Sequence, residues 1–313
     1  MNIVFMGTPE FAVKSLKRLV SEKFNVVGVF TNPDKPFGRK HIVTPCAVKK
    51  AAELLNIKVF QPEKFSSEYV EILKSLKPDA IVVVAYGKFL PAEVLKIPKY
   101  GCFNVHGSLL PKYRGASPIQ SSIINCDEET GVSIILMTPR MDDGDVLKAV
   151  KVPIAVNETY SELSEKLSHV GAEAVCDVLR DVELNNVFKT PQDEEKATYV
   201  FKITKDMAKI DFNLKAFAVH KLICGLSGYY EAYCYLNNMT LKIHSSLFRE
   251  SFSGKPGEIL DEKKFIVSCK EGAVEFLEVQ LQGRKKMLAK DFLNGYRIKK
   301  GEFLGWFLKE GEF

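Results

Sequence analysis

Ala80-Ile81-Val82-Val83-Val84-Ala85 is the stretch that decides the fold. Successive residues of a strand point to opposite faces, so six apolar residues in a row require burial on both sides. A parallel sheet covered by helices on each face meets that requirement. Further short apolar runs stand at residues 2–6, 26–30, 57–60, 102–106 and 132–138. Between them lie segments with helical spacing, such as Phe11, Val13, Leu16, Leu19 and Val20. Strands alternating with helices predict an α/β, doubly wound, Rossmann-like parallel sheet. In open sheets of this kind ligands bind beyond the carboxyl ends of the strands. Tyr86-Gly87, Asn104 to His106 and Asp142 are expected at that edge.

The run at 102–106 leads into Asn104-Val105-His106-Gly107-Ser108-Leu109-Leu110-Pro111-Lys112-Tyr113-Arg114-Gly115. Residues i and i+2 of a strand share a face, so Asn104 and His106 aim at one point. An amide donor beside an imidazole suits a carbonyl that becomes an oxyanion, which makes acyl chemistry the first reading. After the run at 132–138, Thr138-Pro139-Arg140-Met141-Asp142-Asp143-Gly144-Asp145 places carboxylates at the end of another strand. A carboxylate near His106 would orient the ring. Spacing alone leaves Asp142, Asp143 and Asp145 open. An isolated Asn-x-His is common, and an Asp/Gly cluster after a strand is usually only a turn.

Near the start, Ile3-Val4-Phe5-Met6-Gly7-Thr8-Pro9-Glu10 reads as strand, tight turn and helix start. The Gly-x-Gly-x-x-Gly fingerprint of a dinucleotide site is missing, and proline in a first helical turn is an ordinary structural choice. Gly7 and Thr8 therefore read as the turn at the cleft rim. No apolar run approaches the roughly 18 residues of a membrane span, and the amino terminus carries no signal-like pattern. The seven cysteines, at 46, 102, 126, 176, 224, 234 and 269, are never spaced Cys-x-x-Cys, and several sit in apolar runs. A cytoplasmic, reduced protein without structural zinc or other metal is expected.

The character of the chain changes after the helical pattern of about Ser161 to Asp181, where Lys189-Thr190-Pro191-Gln192-Asp193-Glu194-Glu195-Lys196 is polar and charged. That composition predicts a catalytic domain over residues 1–188, a linker over 189–206 and a second domain over 207–313. Beyond the linker, alternating segments at 231–236 and 240–244, joined by Asn237-Asn238, predict a small antiparallel barrel. Residues 207–313 hold 17 Lys+Arg against 13 Asp+Glu, a net of +4, while residues 1–206 hold 27 against 26, a net of +1. Such a domain is only mildly basic, so charge supports RNA binding without requiring it. The polar loop Thr31 to His41 leaves the second strand on the rim of the site, and long structured loops are often functional.

Asn104 to Gly115, continued by Ala116-Ser117-Pro118-Ile119-Gln120, resembles the methionyl-tRNA formyltransferases of the folate-dependent formyltransferase family. The likeness extends to Phe5 to Ala12, Val27 to Asp34, Val82 to Gly87, Lys202 to Phe212 and Pro256 to Leu260. It implies attack of the amino group of methionylated initiator tRNA on the formyl carbon of 10-formyltetrahydrofolate, with no metal. Asn104 and His106 would serve the developing oxyanion. Asp142 would hold the ring, since the family's Leu-Asp-x-Gly pattern falls on it, here preceded by Met141. Ser108, Leu109, Leu110 and Pro111 would shape the folate pocket, and the backbone of Val84, Tyr86 and Gly87 would meet the pterin edge.

Arg39 and Lys40 would approach the tRNA acceptor end, and Arg284, Lys285 and Arg297 of an OB-like second domain would contact its phosphates. Arg114 reads as an anchor for its loop. The chain is expected to act as a monomer. Where the family carries a Pro-Trp-Pro turn, this chain has Leu226-Ser227-Gly228-Tyr229-Tyr230, which implies a more flexible connection. Three other readings use the same residues: formylation of an aminosugar nucleotide or other small amine, a metal-dependent hydrolase built on His106 and the aspartates, and an RNA-binding protein with an idle site.

Overall fold

The computed structural model describes residues 1–37 and 42–305. Contacts divide the chain into two units: residues 1–118, 129–153 and 164–200 form the first, and 119–128, 154–163 and 201 onward the second. Residues 189–200, expected in the linker, are hydrogen-bonded into the first unit: Thr190 exchanges two backbone bonds with Val146, and Arg114 N–H donates to the Thr198 carbonyl at 2.8 Å.

In the first unit the strands are β1 (Asn2–Gly7), β2 (Asn25–Phe30), β3 (Lys35–Phe37), β4 (Ile42–Thr44), β5 (Val59–Phe60), β6 (Ala80–Val84), β7 (Cys102–His106), β8 (Arg114–Gly115), β9 (Glu129–Leu136), β10 (Val146–Pro153) and β11 (Tyr199–Val200). A seven-stranded sheet runs in the order β10-β9-β7-β6-β1-β2-β5. Its helices are α1 (Glu10–Ser21), α2 (Ala47–Leu54), α3 (Ser67–Ser75) and α4 (Ala92–Leu95). All five residues of β6 are buried, as its two-faced apolar pattern requires. In α1 the buried Ala12, Val13, Leu16 and Leu19 form one stripe, the spacing of a helix with one face in a core.

The sheet departs from the sequence expectation in one respect. β5, β2, β1, β6 and β7 are parallel, but β9 runs antiparallel to β7, and β10 antiparallel to β9. An apolar run states that a strand is buried and says nothing of its direction. The reversal matters to the site. Leu136 pairs with Phe103, so β9 ends beside the start of β7, and Asp142 is not at the carboxyl edge of a parallel strand. It reaches Asn104 and His106 from the hairpin between β9 and β10.

α5 (Pro118–Ile124) and α6 (Tyr160–Glu183) precede the second unit's α7 (Ala216–Leu226), β12 (Ala232–Leu236), β13 (Met239–Arg249), β14 (Ile259–Asp261), β15 (Ile266–Ser268), β16 (Ala273–Leu281), β17 (Met287–Leu288) and α8 (Ala289–Gly295). The antiparallel order is β12-β13-β16-β15-β14, with β17 on β16. Residues 302–305 bond to both outer strands: Gly305 N–H to the Tyr235 carbonyl at 3.1 Å and Ile259 N–H to the Glu302 carbonyl at 2.8 Å. That closure makes a small OB-like barrel and pairs residues 302–305 with both outer strands. Phe265, Phe276 and Phe292 lie in its core. In the connection from α7 to β12, the N–H groups of Tyr229, Tyr230 and Glu231 all point to the Leu226 carbonyl. The turn is thus tied by hydrogen bonds where the family's prolines would fix it covalently.

Candidate active site

β7 carries Asn104 and His106 on one face at the edge of the parallel strands. The His106 ring is 5% exposed. Its Nε2 lies 2.9 Å from the Tyr113 carbonyl and its Nδ1 lies 3.6 Å from Asp142 Oδ2. A carbonyl only accepts, so Nε2 carries the hydrogen. Asn104 Nδ2 donates to Asp142 Oδ1 at 3.2 Å, and the Gly115 N–H donates to Asp142 Oδ2 at 2.9 Å. Of the three carboxylates left open by spacing, Asp142 faces the ring. Asp143 is engaged by Thr138 and Arg140 instead.

The hairpin that presents Asp142 is tightly specified. Asp142 has φ of +50°, a left-handed conformation that costs a non-glycine residue about 1 kcal/mol or more and persists only where neighbours fix it. A Cβ on Gly144 would stand 1.7 Å from the Leu136 carbonyl oxygen, so only glycine permits this close return of the chain. Gln192 Nε2 donates to the carbonyls of Asp142 and Gly144 at 2.8 and 2.7 Å. Gln192 Oε1 in turn accepts from Arg114 Nε at 3.0 Å. Arg114 is 1% exposed and holds Glu194 with two bonds of 2.9 and 3.0 Å. Its guanidinium keeps the Glu194 carboxyl below the usual carboxylate range.

The loop after His106 is ordered from within. Ser108 is fully buried; its hydroxyl donates to the Lys112 carbonyl at 2.6 Å, while its own carbonyl accepts from Ser133 Oγ at 2.8 Å. Ser133 Oγ also accepts from the Leu110 N–H at 3.1 Å. Ser108 thus shapes the loop and does not present its hydroxyl to the cleft. Leu109, Leu110 and Pro111 are partly exposed.

At the end of β6 the side chains of Val84 and Tyr86 are buried, and Ala85 and Gly87 are exposed. This rim offers main chain rather than side chain. Asn32 Nδ2 ties it to the neighbouring turn, donating to the Tyr86 carbonyl and to Thr8 Oγ1 at 3.0 Å each. Beside it, Lys49 Nζ donates to Asp34 Oδ2 at 2.6 Å and to Gln61 Oε1 at 2.8 Å.

Arg284 and Lys285 are exposed in the hairpin between β16 and β17, and Arg297 is exposed after α8. Arg39 and Lys40 lie outside the described residues. Among the described residues no three His, Cys, Asp or Glu side chains are grouped as metal ligands, and no helix is long and apolar enough to cross a membrane. Sequence reasoning missed the Tyr113 carbonyl, the Gly115 N–H and Gln192. The first two are backbone groups, which any residue supplies; the third stands in a stretch whose composition signals only solvation.

An amide, an imidazole and a carboxylate at the end of a doubly wound sheet define a class of acyl-transfer site, and comparison with known proteins gives that class its name. Residues 1–179 match the family described as formyl transferase, and residues 202–297 match the formyl transferase C-terminal domain. The sugar 3N-formyl transferase WlaRD, crystallised in the presence of dTDP and 5-N-formyl-THF, superposes with a TM-score of 0.68 at 22% identity, over 91% of this chain and 99% of that one. At that identity the likeness is one of fold.

Two methionyl-tRNA formyltransferases are more similar in sequence. That of Caldanaerobacter subterraneus subsp. tengcongensis is 43% identical over 308 residues, 97% of this chain and 100% of its own. That of Caldicellulosiruptor saccharolyticus is 41% identical over 312 residues, 97% and 100% respectively. The chain belongs to the methionyl-tRNA formyltransferase family.

Proposed function

We propose that this enzyme transfers the formyl group of 10-formyltetrahydrofolate to the amino group of methionylated initiator tRNA, giving N-formylmethionyl-tRNA for translation initiation in the cytoplasm. The observation that carries the reading is the meeting of Asn104 and His106 on Asp142 in a chain related along its whole length to enzymes of that name. The donor supplies an activated formyl carbon. The amine lone pair forms the new C–N bond as the carbonyl pair moves onto oxygen. That pair then returns and the bond to the folate nitrogen breaks; the nitrogen keeps the electrons and takes up a proton, while the attacking nitrogen gives one up.

Asn104 serves this sequence with an amide hydrogen. One of its two hydrogens is spent on Asp142, and the other is offered to the oxyanion. His106 Nε2 is committed to Tyr113, so proton exchange runs through Nδ1, the nitrogen facing Asp142. Asp142 holds the ring in that orientation and balances the imidazolium. Leu109 to Pro111 and the main chain of Val84 to Gly87 line the folate side. The mildly basic stretch 207–313, acting within a monomer, carries tRNA on Arg284, Lys285 and Arg297, and Arg39 and Lys40 serve its acceptor end.

The test is formation of formylmethionyl-tRNA by purified protein given both substrates, with and without chelator, beside an Asn104→Ala variant. Product that survives chelator and falls about a hundredfold or more in the variant is expected. Absence of product from methionyl-tRNA, with formylation of an aminosugar nucleotide instead, would overturn the choice of acceptor.

A further inference from the structure

Three consecutive residues, Tyr113, Arg114 and Gly115, reach the catalytic pair by three separate routes. The Tyr113 carbonyl takes the His106 Nε2 hydrogen. The Gly115 N–H grips the Asp142 carboxylate. Arg114 acts at one remove, through Gln192, on the main chain of Asp142 and Gly144. The two ends of Asp142 are therefore held from neighbouring positions of β8, which is itself paired to β11.

The Gln192 amide cannot be reversed in this setting. Arginine only donates and carbonyls only accept, so Oε1 must face Arg114 and both Nε2 hydrogens must face the hairpin. Fifty residues separate Gln192 from Asp142, so the contact is a long-range brace on a residue in left-handed conformation. Within the hairpin, Thr138 and Arg140 bind the Asp143 carboxylate, whereas Gln192 binds the Asp142 and Gly144 carbonyls, and the buried, doubly bonded Arg114 gives the brace a rigid backing.

We propose that Gln192 is a positioning residue for the reaction: backed by Arg114, it sets the Asp142 peptide so that the carboxylate meets His106 Nδ1. The inference rests on the functional reading above, in which Asp142 orients His106. Gln192 touches no reacting atom, and its effect is transmitted only through Asp142.

A double-mutant cycle in the full-length enzyme separates this from a merely structural role. Gln192→Ala should lower kcat about tenfold to a hundredfold, as expected for a slightly misplaced catalytic group, with KM for both substrates within about twofold. Combined with Asp142→Ala, it should add no further loss. Gln192→Glu keeps the size and the Arg114 contact but turns an oxygen toward two carbonyls, and it should reproduce the kcat loss even if the alanine variant folds poorly.

Wild-type kcat in folded Gln192→Glu, or equal losses from Gln192→Ala with Asp142 present and absent, would overturn the proposal. Unchanged activity in Asp142→Ala alone would instead sink the assignment of Asp142 on which it rests.

Discussion

Each unit buries a histidine, and the two are treated in opposite ways. His106 is 5% exposed with Asp142 Oδ2 at 3.6 Å from Nδ1. His220, on α7, is fully buried, with Ser246 Oγ at 3.0 Å from Nδ1 and Cys224 Sγ at 3.5 Å from Nε2. No carboxylate is described among those partners. Burial, with some help from the Lys221 cation, pushes the His220 imidazole down to about 4, so it stays neutral through the physiological range. The same side chain thus faces a carboxylate acceptor in the first unit, and is fixed as a neutral packing element by a hydroxyl and a thiol in the second.

Removing the acceptor should give the largest effect. Asp142→Asn keeps the size and the Gly115 contact but discards the charge, and kcat should fall about a hundredfold with the thermal midpoint nearly unmoved; steady-state formylation and calorimetry read both. A kcat near wild type would erase the distinction between the two sites. On the other side, Ser246→Ala strands the His220 Nδ1 and should destabilise the protein by about 1–3 kcal/mol, measured by urea unfolding, with formylation per folded molecule unchanged.

Acid sharpens the contrast further. The folded-state value of His220 lies below its ordinary 6.5, so the unfolded chain binds the proton more tightly. The stabilisation is complete above about pH 6.5 and is lost as pH falls toward 4, by about 3 kcal/mol in all. His220→Gln should flatten that part of the stability profile. The smallest effect belongs to Asp34, which the Lys49 bond, followed by that of Gln61, holds below the usual carboxylate value. Its contribution is present above about pH 4 and fades as pH drops through its folded value. Asp34→Asn should lower the midpoint by about 2 °C or less at neutral pH, and a larger drop would mean that the network does more than tie the rim.

How much of this was legible in the sequence differs by kind of information. The two-faced run of β6 announced the buried sheet, and the i, i+2 spacing of Asn104 and His106 announced their shared face, because strand geometry ties both to residue order. In the sequence, family resemblance alone distinguishes Asp142 from Asp143 and Asp145; the geometry that separates them is the backbone of a hairpin. The direction of β9 left no trace in its composition. Gln192 was hidden for a further reason. Its neighbours Asp193, Glu194, Glu195 and Lys196 read as solvated, and only long-range contacts with Arg114 and Asp142 set it apart.

The most direct measurement compares kcat for formyl transfer in His106→Ala and His220→Ala, at a temperature where circular dichroism shows both to be folded. The account predicts a loss of about a hundredfold or more for His106→Ala and a change within about threefold for His220→Ala. Equal losses, or a His106→Ala enzyme that turns over at the wild-type rate, would contradict it.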